Sequence, residues 1–273
     1  MNQPSRMCVA ALGALAMAAS VGSARDDDPM RILTVPGMGS GGARQVSMFS
    51  VGFESMEGFN TGLFTNNSPE SWGTLGGPNS PIVTSDNPWM GTQHLRIGKE
   101  NSLPTNSDVG VLSPELAAPD GLEKFIFKVG VNINEKFGAD YDLFLQSPSS
   151  SSAPAGRVKF EFTGRILVLD DGQFVDTGFE YDPGEWRETR VEIDYTNNAG
   201  GVAEYYYNDQ LIWTDANRFD MSTFATQFGI VSDNFNNGDH GDFDGAMMTY
   251  IPAPGVGLPL GAGLLLGARR RRR

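Results

Sequence analysis

The chain has 273 residues and a formal net charge of −13 at pH 7. The two end segments hold six of its 20 basic residues and none of its 33 acidic ones, so residues 25–250 carry 14 basic against 33 acidic groups, a net charge of −19. A surface this acidic repels phosphate backbones, which argues against nucleic acid as a partner.

The first 24 residues have the three parts of a secretory signal peptide. Arg6 supplies the positive start, an apolar run rich in Ala and Leu follows, and Gly22-Ser23-Ala24 offers small residues to signal peptidase. Cleavage after Ala24 is therefore predicted. The mature chain then has no cysteine, which excludes a disulfide framework, a thiolate metal site and a cysteine nucleophile. A lipoprotein signal is disfavoured because Cys8 opens the apolar run instead of following it.

Residues 25–48 predict a flexible lead-in, because Asp26–Asp28 and a glycine-rich stretch lack apolar periodicity. Residues 49–250 predict one β-sandwich domain, since the chain combines 34 Gly and 16 Pro with short apolar runs. Ser147–Ala155 is expected to be an exposed loop. The first strand-like runs are 125–133, 157–162 and 165–169.

The clearest strand pattern lies between Trp186 and Trp213. Apolar and charged residues alternate from Arg190 to Tyr195, so one face of that strand is expected to be buried and the other exposed to solvent. An Asn/Gly-rich turn leads into a return strand at Val202–Tyr207, on which Tyr206 points away from its neighbours. The pattern predicts neighbouring antiparallel strands.

Gly184-Glu185-Trp186 and Tyr207-Asn208-Asp209-Gln210-Leu211 carry a likeness to a known fold family. They resemble a signature of concanavalin A-like jelly rolls, which include laminin-G-like lectin modules. The likeness covers about 30 residues closely and residues 53–250 in outline. It implies an all-β, antiparallel sandwich and says more about fold than about function.

The same fold hosts β-glucanases whose catalytic strand reads Glu-x-Asp-x-x-Glu, with the outer acids as nucleophile and proton donor. Here Glu192 and Asp194 match the start of that motif, but Asn197 stands where the last Glu is required. Glu192 and Asp194 are therefore better explained as the polar side of a strand. A laminarinase-like glycoside hydrolase with an incomplete motif remains the alternative function.

An Asp- and Asn-rich segment spans residues 233–244, and carboxylate and carbonyl oxygens are the ligands that calcium prefers. The spacing does not fit an EF-hand. Jelly-roll carbohydrate-binding modules are similar in placing an early acid and a late Asp on a structural calcium. That resemblance implies Glu54 and Asp244 as ligands, followed by Asp242 and Asp239. A turn-forming loop without metal explains the same residues equally well.

Aromatic side chains supply the candidate ligand platform, because sugar-binding sites stack sugar rings on exposed Trp or Tyr. Trp72, Trp89 and Tyr206 are the candidates, although sandwich cores also use such residues. His94 and His240 are too few and too far apart in sequence to predict a zinc site or a catalytic triad. The sequence also has no nucleophile elbow, phosphate-binding loop or dinucleotide fingerprint.

Residues 251–273 form an uncharged apolar run that ends in five arginines. The run of 18 residues is just long enough to cross a bilayer as a short helix, although its prolines weaken it. The arginines would keep the chain end cytoplasmic and leave the acidic domain outside.

Pro252-Ala253-Pro254, the Leu/Gly/Ala run and the arginine tail resemble PEP-CTERM-type sorting signals, with Ala253 in place of the usual Glu. The resemblance implies transient membrane insertion, removal of the tail by an exosortase-like protease, and a location at the cell surface or outside the cell. A plain membrane anchor is the alternative.

Three functions fit these features. The first is a non-catalytic sandwich, with structural calcium, that binds a polysaccharide or serves in the extracellular matrix. The second is the hydrolase, and the third is a structural envelope protein without a small ligand.

Overall fold

A computed structural model describes residues 20–21, 30–35, 44–117, 120–147, 151–197, 201–216, 224–235 and 238–253. Its helices are a 3₁₀ turn at Ser55–Glu57 and a short α1 at Phe64–Asn67. The strands in chain order are β1 Ser20–Val21, β2 Met30–Val35, β3 Arg44–Val51, β4 Gly62–Leu63, β5 Gly73–Leu75, β6 Ile82–Thr84, β7 His94–Gly98, β8 Val109–Leu112, β9 Leu122–Ile133, β10 Tyr141–Ser147, β11 Ser151–Phe160, β12 Arg165–Asp170, β13 Gln173–Glu180, β14 Arg187–Asp194, β15 Val202–Tyr207, β16 Gln210–Asp215, β17 Gln227–Ser232 and β18 His240–Pro252.

The described strands form two antiparallel sheets. The A sheet runs β1-β2-β3-β18-β9-β14-β15-β16. A branch of this sheet starts at the first part of β18, where β7 pairs with β18, β6 with β7 and β4 with β6. The B sheet runs β13-β12-β11-β10-β17-β8-β5. The expected all-β antiparallel sandwich is thus confirmed.

Large aromatic side chains fill the space between the sheets. Phe127 of the A sheet meets Phe228 of the B sheet at a ring-centroid distance of 5.2 Å, and Phe243 meets Tyr141 at 6.0 Å. The side chains of these residues point into the core because alternate positions along a strand face the same side of the sheet. On β9, Phe125, Phe127 and Val129 are buried for that reason. Burial of this apolar surface is the main stabilising contribution to the fold.

The predicted strand pairs between Trp186 and Trp213 are present. β14 pairs with β15, and β15 pairs with β16. Tyr205 and Tyr207 are buried, while Tyr206 lies on the other side of β15. Asn208 and Asp209 have positive φ values of 50° and 61°, which matches the primed turn that a two-residue hairpin needs.

Some boundaries differ from the sequence analysis. The expected loop at 147–155 is shorter, because Ser151–Phe160 forms β11 and pairs with β10. Within the expected lead-in of residues 25–48, β2 pairs with β3 and extends the A sheet. Backbone hydrogen bonding to a neighbouring strand holds both segments in the sheets.

The signal-cleavage residue Ala24 lies outside the described residues, as do Pro254 and the rest of the tail. Pro252 ends β18, and the Ala253 N–H donates to the carbonyl of Gly121 at 2.8 Å. In the part of the chain that is described, no helix has the length and apolar character needed to span a bilayer.

Candidate functional site

The outer face of the B sheet is built by strand alternation on β10. Tyr141, Leu143 and Leu145 point into the core and are almost fully buried. Phe144 and Gln146 therefore point outward, and both are half-buried. An aromatic ring at an outward position is the feature that distinguishes this strand from a purely polar sheet surface.

The strand register places the outward residues of neighbouring strands beside those of β10. Phe144 is opposite Arg157 on one side and Gly229 on the other. Asp142 is opposite Lys159, and Gln146 is opposite Gln227. These residues, together with Phe174 on β13, are called the B-sheet face below.

The tip of the Phe144 ring lies over Gly229 of β17. A Cβ atom added at Gly229 would be 2.2 Å from Phe144 Cζ, so only glycine leaves room for the ring there. On the other side of the face, the Arg157 guanidinium lies 5.0 Å and Lys159 Nζ lies 4.8 Å from the centre of the Phe174 ring. The face therefore presents aromatic surface and two cations together.

The charges on this face are arranged around Asp142. Arg157 Nη2 donates to Asp142 Oδ2 at 2.5 Å, and Lys159 Nζ is 3.9 Å from the same oxygen. Burial raises the pKa of Asp142, and the two cations partly offset that effect. Asp142 Oδ1 and Arg157 Nε are buried without a hydrogen-bond partner among the described residues. Buried polar atoms of this kind need a water or ligand partner.

Two amide side chains extend the face. Gln146 Nε2 donates to Gln227 Oε1 at 2.6 Å, and Gln227 Nε2 donates to the Ser113 carbonyl at 2.6 Å. The side-chain oxygen of Gln146, Oε1, can still accept hydrogen bonds, because an amide oxygen has two lone pairs. The face thus combines apolar rings with polar groups in fixed positions, which is the usual make-up of a ligand site.

The three predicted aromatic ligand residues lie elsewhere. Trp72 is half-buried and packs against the core, with its ring centre 5.5 Å from Phe59 and 5.8 Å from Phe53. Trp89 lies on the outer face of the A sheet, and its position on Gly130 makes it half-buried. Tyr206 is also on that side, but the Arg190 guanidinium lies 4.3 Å from its ring centre. No single surface brings the three together.

The four predicted metal ligands do not converge either. Among the described residues, no group of three or more His, Cys, Asp and Glu side chains is arranged to hold a metal ion. Asp239 accepts hydrogen bonds from Ala139 N–H and Tyr141 Oη, at 2.7 and 3.1 Å. Asp242 pairs with Arg96, whose Nε is 2.7 Å from Asp242 Oδ1.

Glu54 and Asp244 are the two predicted ligands that do approach each other, beside Gly52. Glu54 accepts from Thr92 N–H at 2.6 Å, and Asp244 accepts from Met90 N–H at 2.8 Å. Burial raises the pKa of Asp244 to about 6, and the charge of Glu54 adds to that shift. Two carboxylates fall short of the six to eight oxygens that calcium takes, so the predicted set of four does not fit one calcium site.

The carboxylates of the incomplete glucanase motif are on the polar side of β14, as expected. Glu192 forms ion pairs with Lys124 and, at 2.9 Å, with Arg190. Asp194 accepts hydrogen bonds from Thr196 and Asn197, which together lower the pKa of Asp194 although burial opposes the shift. These contacts give both acids a structural role on the sheet surface.

Most residues of the B-sheet face were not predicted from the sequence. The predicted strand at 157–162 contained Arg157 and Lys159, but β10 was not identified. The available signal was in Tyr141–Ser147, where Phe144 occupies a position that the alternation assigns to the outer side.

No protein-family model matches the chain, and no curated protein matches it significantly. Similar solved structures include a sialidase, at 8% identity and a TM-score of 0.48 over 83% of this chain. A carbohydrate esterase from a Shiga toxin-encoding bacteriophage has 13% identity and a TM-score of 0.47, with 67% of this chain and 90% of the esterase covered. An endo-β-1,4-glucuronan lyase from the fungus Trichoderma reesei has 8% identity and a TM-score of 0.44, with 65% and 93% covered.

The chain spans 21% of the length of the sialidase and 46% of a receptor-binding domain of botulinum neurotoxin type G. Similarities at this level assign neither an activity nor a ligand to this chain.

Proposed function

We propose that this chain is an exported β-sandwich module that binds a glycan on the B-sheet face and does not cleave it. The observation that carries the proposal is the combination of Phe144 and Phe174 with the Asp142–Arg157 pair, in which one oxygen and one N–H are buried without a partner. A sugar offers apolar C–H faces to the rings and hydroxyls that both donate and accept hydrogen bonds. It is therefore complementary to both parts of this surface.

Binding without turnover is proposed because glycoside hydrolysis needs two carboxyl groups that act as acid and as base or nucleophile. Asp142 on β10 is paired with Arg157, and Asp140, just before β10, is held by Lys159 at 3.2 Å and by the Phe162 N–H at 2.8 Å. The raised pKa values of Asp142 and Asp244 are features that favour the hydrolase alternative. Release of reducing ends from a β-glucan would support that alternative and contradict binding without turnover.

Phe144→Ala is expected to raise the Kd for a bound glycan at least tenfold, because it removes the central ring of the face, and tenfold is about 1.4 kcal/mol. Gln146→Ala should weaken binding with less effect on packing. Isothermal titration calorimetry with the glycan that the wild-type protein selects from an array measures both. The matched control is Phe235→Ala, an exposed phenylalanine on the loop that follows β17. Equal affinity of Phe144→Ala and Phe235→Ala would contradict the placement of the site.

The sorting signal is a separate part of the proposal, motivated by Pro252-Ala253-Pro254 and the arginine tail. Mature protein from the native host is expected to begin after Ala24 and to lack Arg269–Arg273. Mass spectrometry of the intact protein and of its terminal peptides measures both ends. Intact C-terminal peptides on the dominant species would refute removal of the tail.

Structural calcium is proposed only at Glu54 and Asp244, the two predicted ligands that approach each other, with backbone carbonyls and water as the remaining ligands. Chelation with EDTA is then expected to lower the melting temperature, and added calcium to restore it. Asp244→Ala should remove this response, whereas Asp239→Asn should keep it. A melting temperature that is independent of calcium in the wild type and in both variants would contradict a structural calcium.

A further inference from the structure

A second polar and aromatic surface lies on the outer face of the A sheet, on the side of the sandwich opposite the B-sheet face. The register places Arg96 of β7 and Asn132 of β9 on either side of Asp242 of β18. Trp89, from the loop before β7, and Trp186, from the loop before β14, lie beside this row. These five residues are called the tryptophan patch.

The two indole rings are stacked over the sheet. Trp89 lies directly on β9, where a Cβ atom added at Gly130 would be 1.9 Å from Trp89 Cε3. Trp186 is nearly parallel to it, with ring centres 6.3 Å apart and an angle of 14° between planes. Trp186 Nε1 donates to the Asn87 carbonyl at 3.0 Å, which ties the two loops together. Both rings are half-buried, so each keeps part of its surface in contact with solvent.

The polar side of the patch is organised by an ion pair. Arg96 Nε and Nη2 donate to the two oxygens of Asp242 at 2.7 and 3.1 Å, the bidentate geometry that fixes a guanidinium plane. Burial opposes ionisation of Asp242, but the contacts with His94 and Arg96 outweigh it and lower the pKa of Asp242. Asp242 is therefore an ionised, oriented acceptor.

Both histidines flank this carboxylate, although they are far apart in sequence. His94 Nε2 is 3.2 Å from Asp242 Oδ1, and His240 Nε2 is 3.6 Å from Asp242 Oδ2. Burial lowers the pKa of His240. A cation is a poor occupant here because Arg96 already supplies the positive charge next to Asp242.

Buried atoms beside the patch have no hydrogen-bond partner within the described residues. Asn132 is 5% exposed, and its Oδ1 is unpartnered. His94 is 0% exposed and packs edge-on to Trp186 at 5.7 Å, and its Nδ1 has no hydrogen-bond partner in the described part of the chain. A buried acceptor left in this state is destabilising, so it needs an external donor such as a hydroxyl group.

We propose that the tryptophan patch is a second glycan site that takes a neutral sugar ring. The ring stacks on the exposed part of Trp186, and its hydroxyls donate to Asn132 Oδ1 and Asp242. The inference rests on the proposed function, because it treats the ligand as the same class. Since the two sites lie on opposite outer faces of the sandwich, one molecule then holds two glycan chains and cross-links them.

Calorimetric titration with laminarihexaose, cellohexaose and chitohexaose tests the second site through the number of sugars bound per protein. For the probe that binds, the wild type is expected to take two, Phe144→Ala one, Trp186→Phe one, and the double variant none. Trp186→Phe is used because it keeps most of the packing of the loop before β14, and Asn132→Ala is used because it removes only the unpartnered amide from β9. Saturating sugar should change tryptophan fluorescence in the wild type and Phe144→Ala but not in Trp186→Phe.

A wild-type stoichiometry of one that Phe144→Ala abolishes would overturn the second site and leave the proposed function intact. A stoichiometry of one that Trp186→Phe abolishes and Phe144→Ala preserves would overturn the cross-linking and the placement of the main site. No binding of any of the three probes would overturn the second site as a neutral-sugar site.

Discussion

Trp72→Ala is expected to lower the free energy of unfolding by about 3 kcal/mol, the lower end of the range for removing a large aromatic side chain from a core, because Trp72 is half-buried. The Trp72 ring has five aromatic neighbours, and its centre is between 5.5 and 6.4 Å from each of them: Phe49, Phe53, Phe59, Phe64 and Phe228. Removing the indole would leave these rings facing a cavity. Denaturant unfolding followed by circular dichroism measures the change.

Trp72→Phe is the matched control, because it keeps an aromatic ring in the cluster and should cost less. Both variants should bind glycan with wild-type affinity under conditions where they are folded. Loss of binding with unchanged stability would contradict a core role and restore Trp72 as a ligand platform.

Glu100→Gln is expected to lower the free energy of unfolding by about 3 kcal/mol at pH 7, because a buried ion loses charge-assisted hydrogen bonds. Glu100 is 0% exposed. Its carboxylate accepts from Asn79 N–H at 2.7 Å, Ser80 N–H at 3.2 Å and Ser102 N–H at 2.8 Å. An amide cannot accept from all of these donors in the same geometry. The control is Glu135→Gln at an exposed position, expected to change stability by no more than about 0.5 kcal/mol.

The pH dependence of this effect has a definite sign. Burial opposes ionisation of Glu100, but the hydrogen bonds from Ser102 and Asn79 lower the pKa to about 2 from an ordinary value of 4.5. A lowered pKa stabilises the fold fully above the unfolded-state value and progressively less as the pH falls through the folded-state value. The stability gap between wild type and Glu100→Gln should therefore shrink between about pH 4.5 and 2. A gap that stays constant across this range would contradict the account.

The fold was predictable because its signals are local. Alternation between Arg190 and Tyr195 and the Asn208-Asp209 turn predict the hairpins that the A sheet contains. The lead-in and the start of β11 were not predictable in the same way. Residues 44–51 pair with β18, which is distant in sequence, and residues 151–160 pair with β10 across a polar segment. Tertiary hydrogen bonding therefore decides the structure of both segments.

The candidate sites were less predictable because they depend on register between strands far apart in sequence. Phe144 and Arg157 become neighbours only through the pairing of β10 with β11. His94 and His240 meet at Asp242 only because β7 pairs with β18. Trp89 was a candidate because of its residue type, as an aromatic platform for a sugar. Asp242 was a candidate because of the resemblance to jelly-roll carbohydrate-binding modules, as a metal ligand in a different site. Their common location on the A sheet could not be read from spacing alone.

The central claim is that the B-sheet face holds a glycan. Chemical-shift mapping by NMR, with the uncut oligosaccharide that the protein binds most tightly in an array, tests it most directly. The account predicts the largest shifts at backbone amides of β10, β11 and β17 around Phe144, together with recovery of the oligosaccharide intact. Shifts confined to the loops at the ends of the sandwich, or no binding to any glycan on the array, would contradict it.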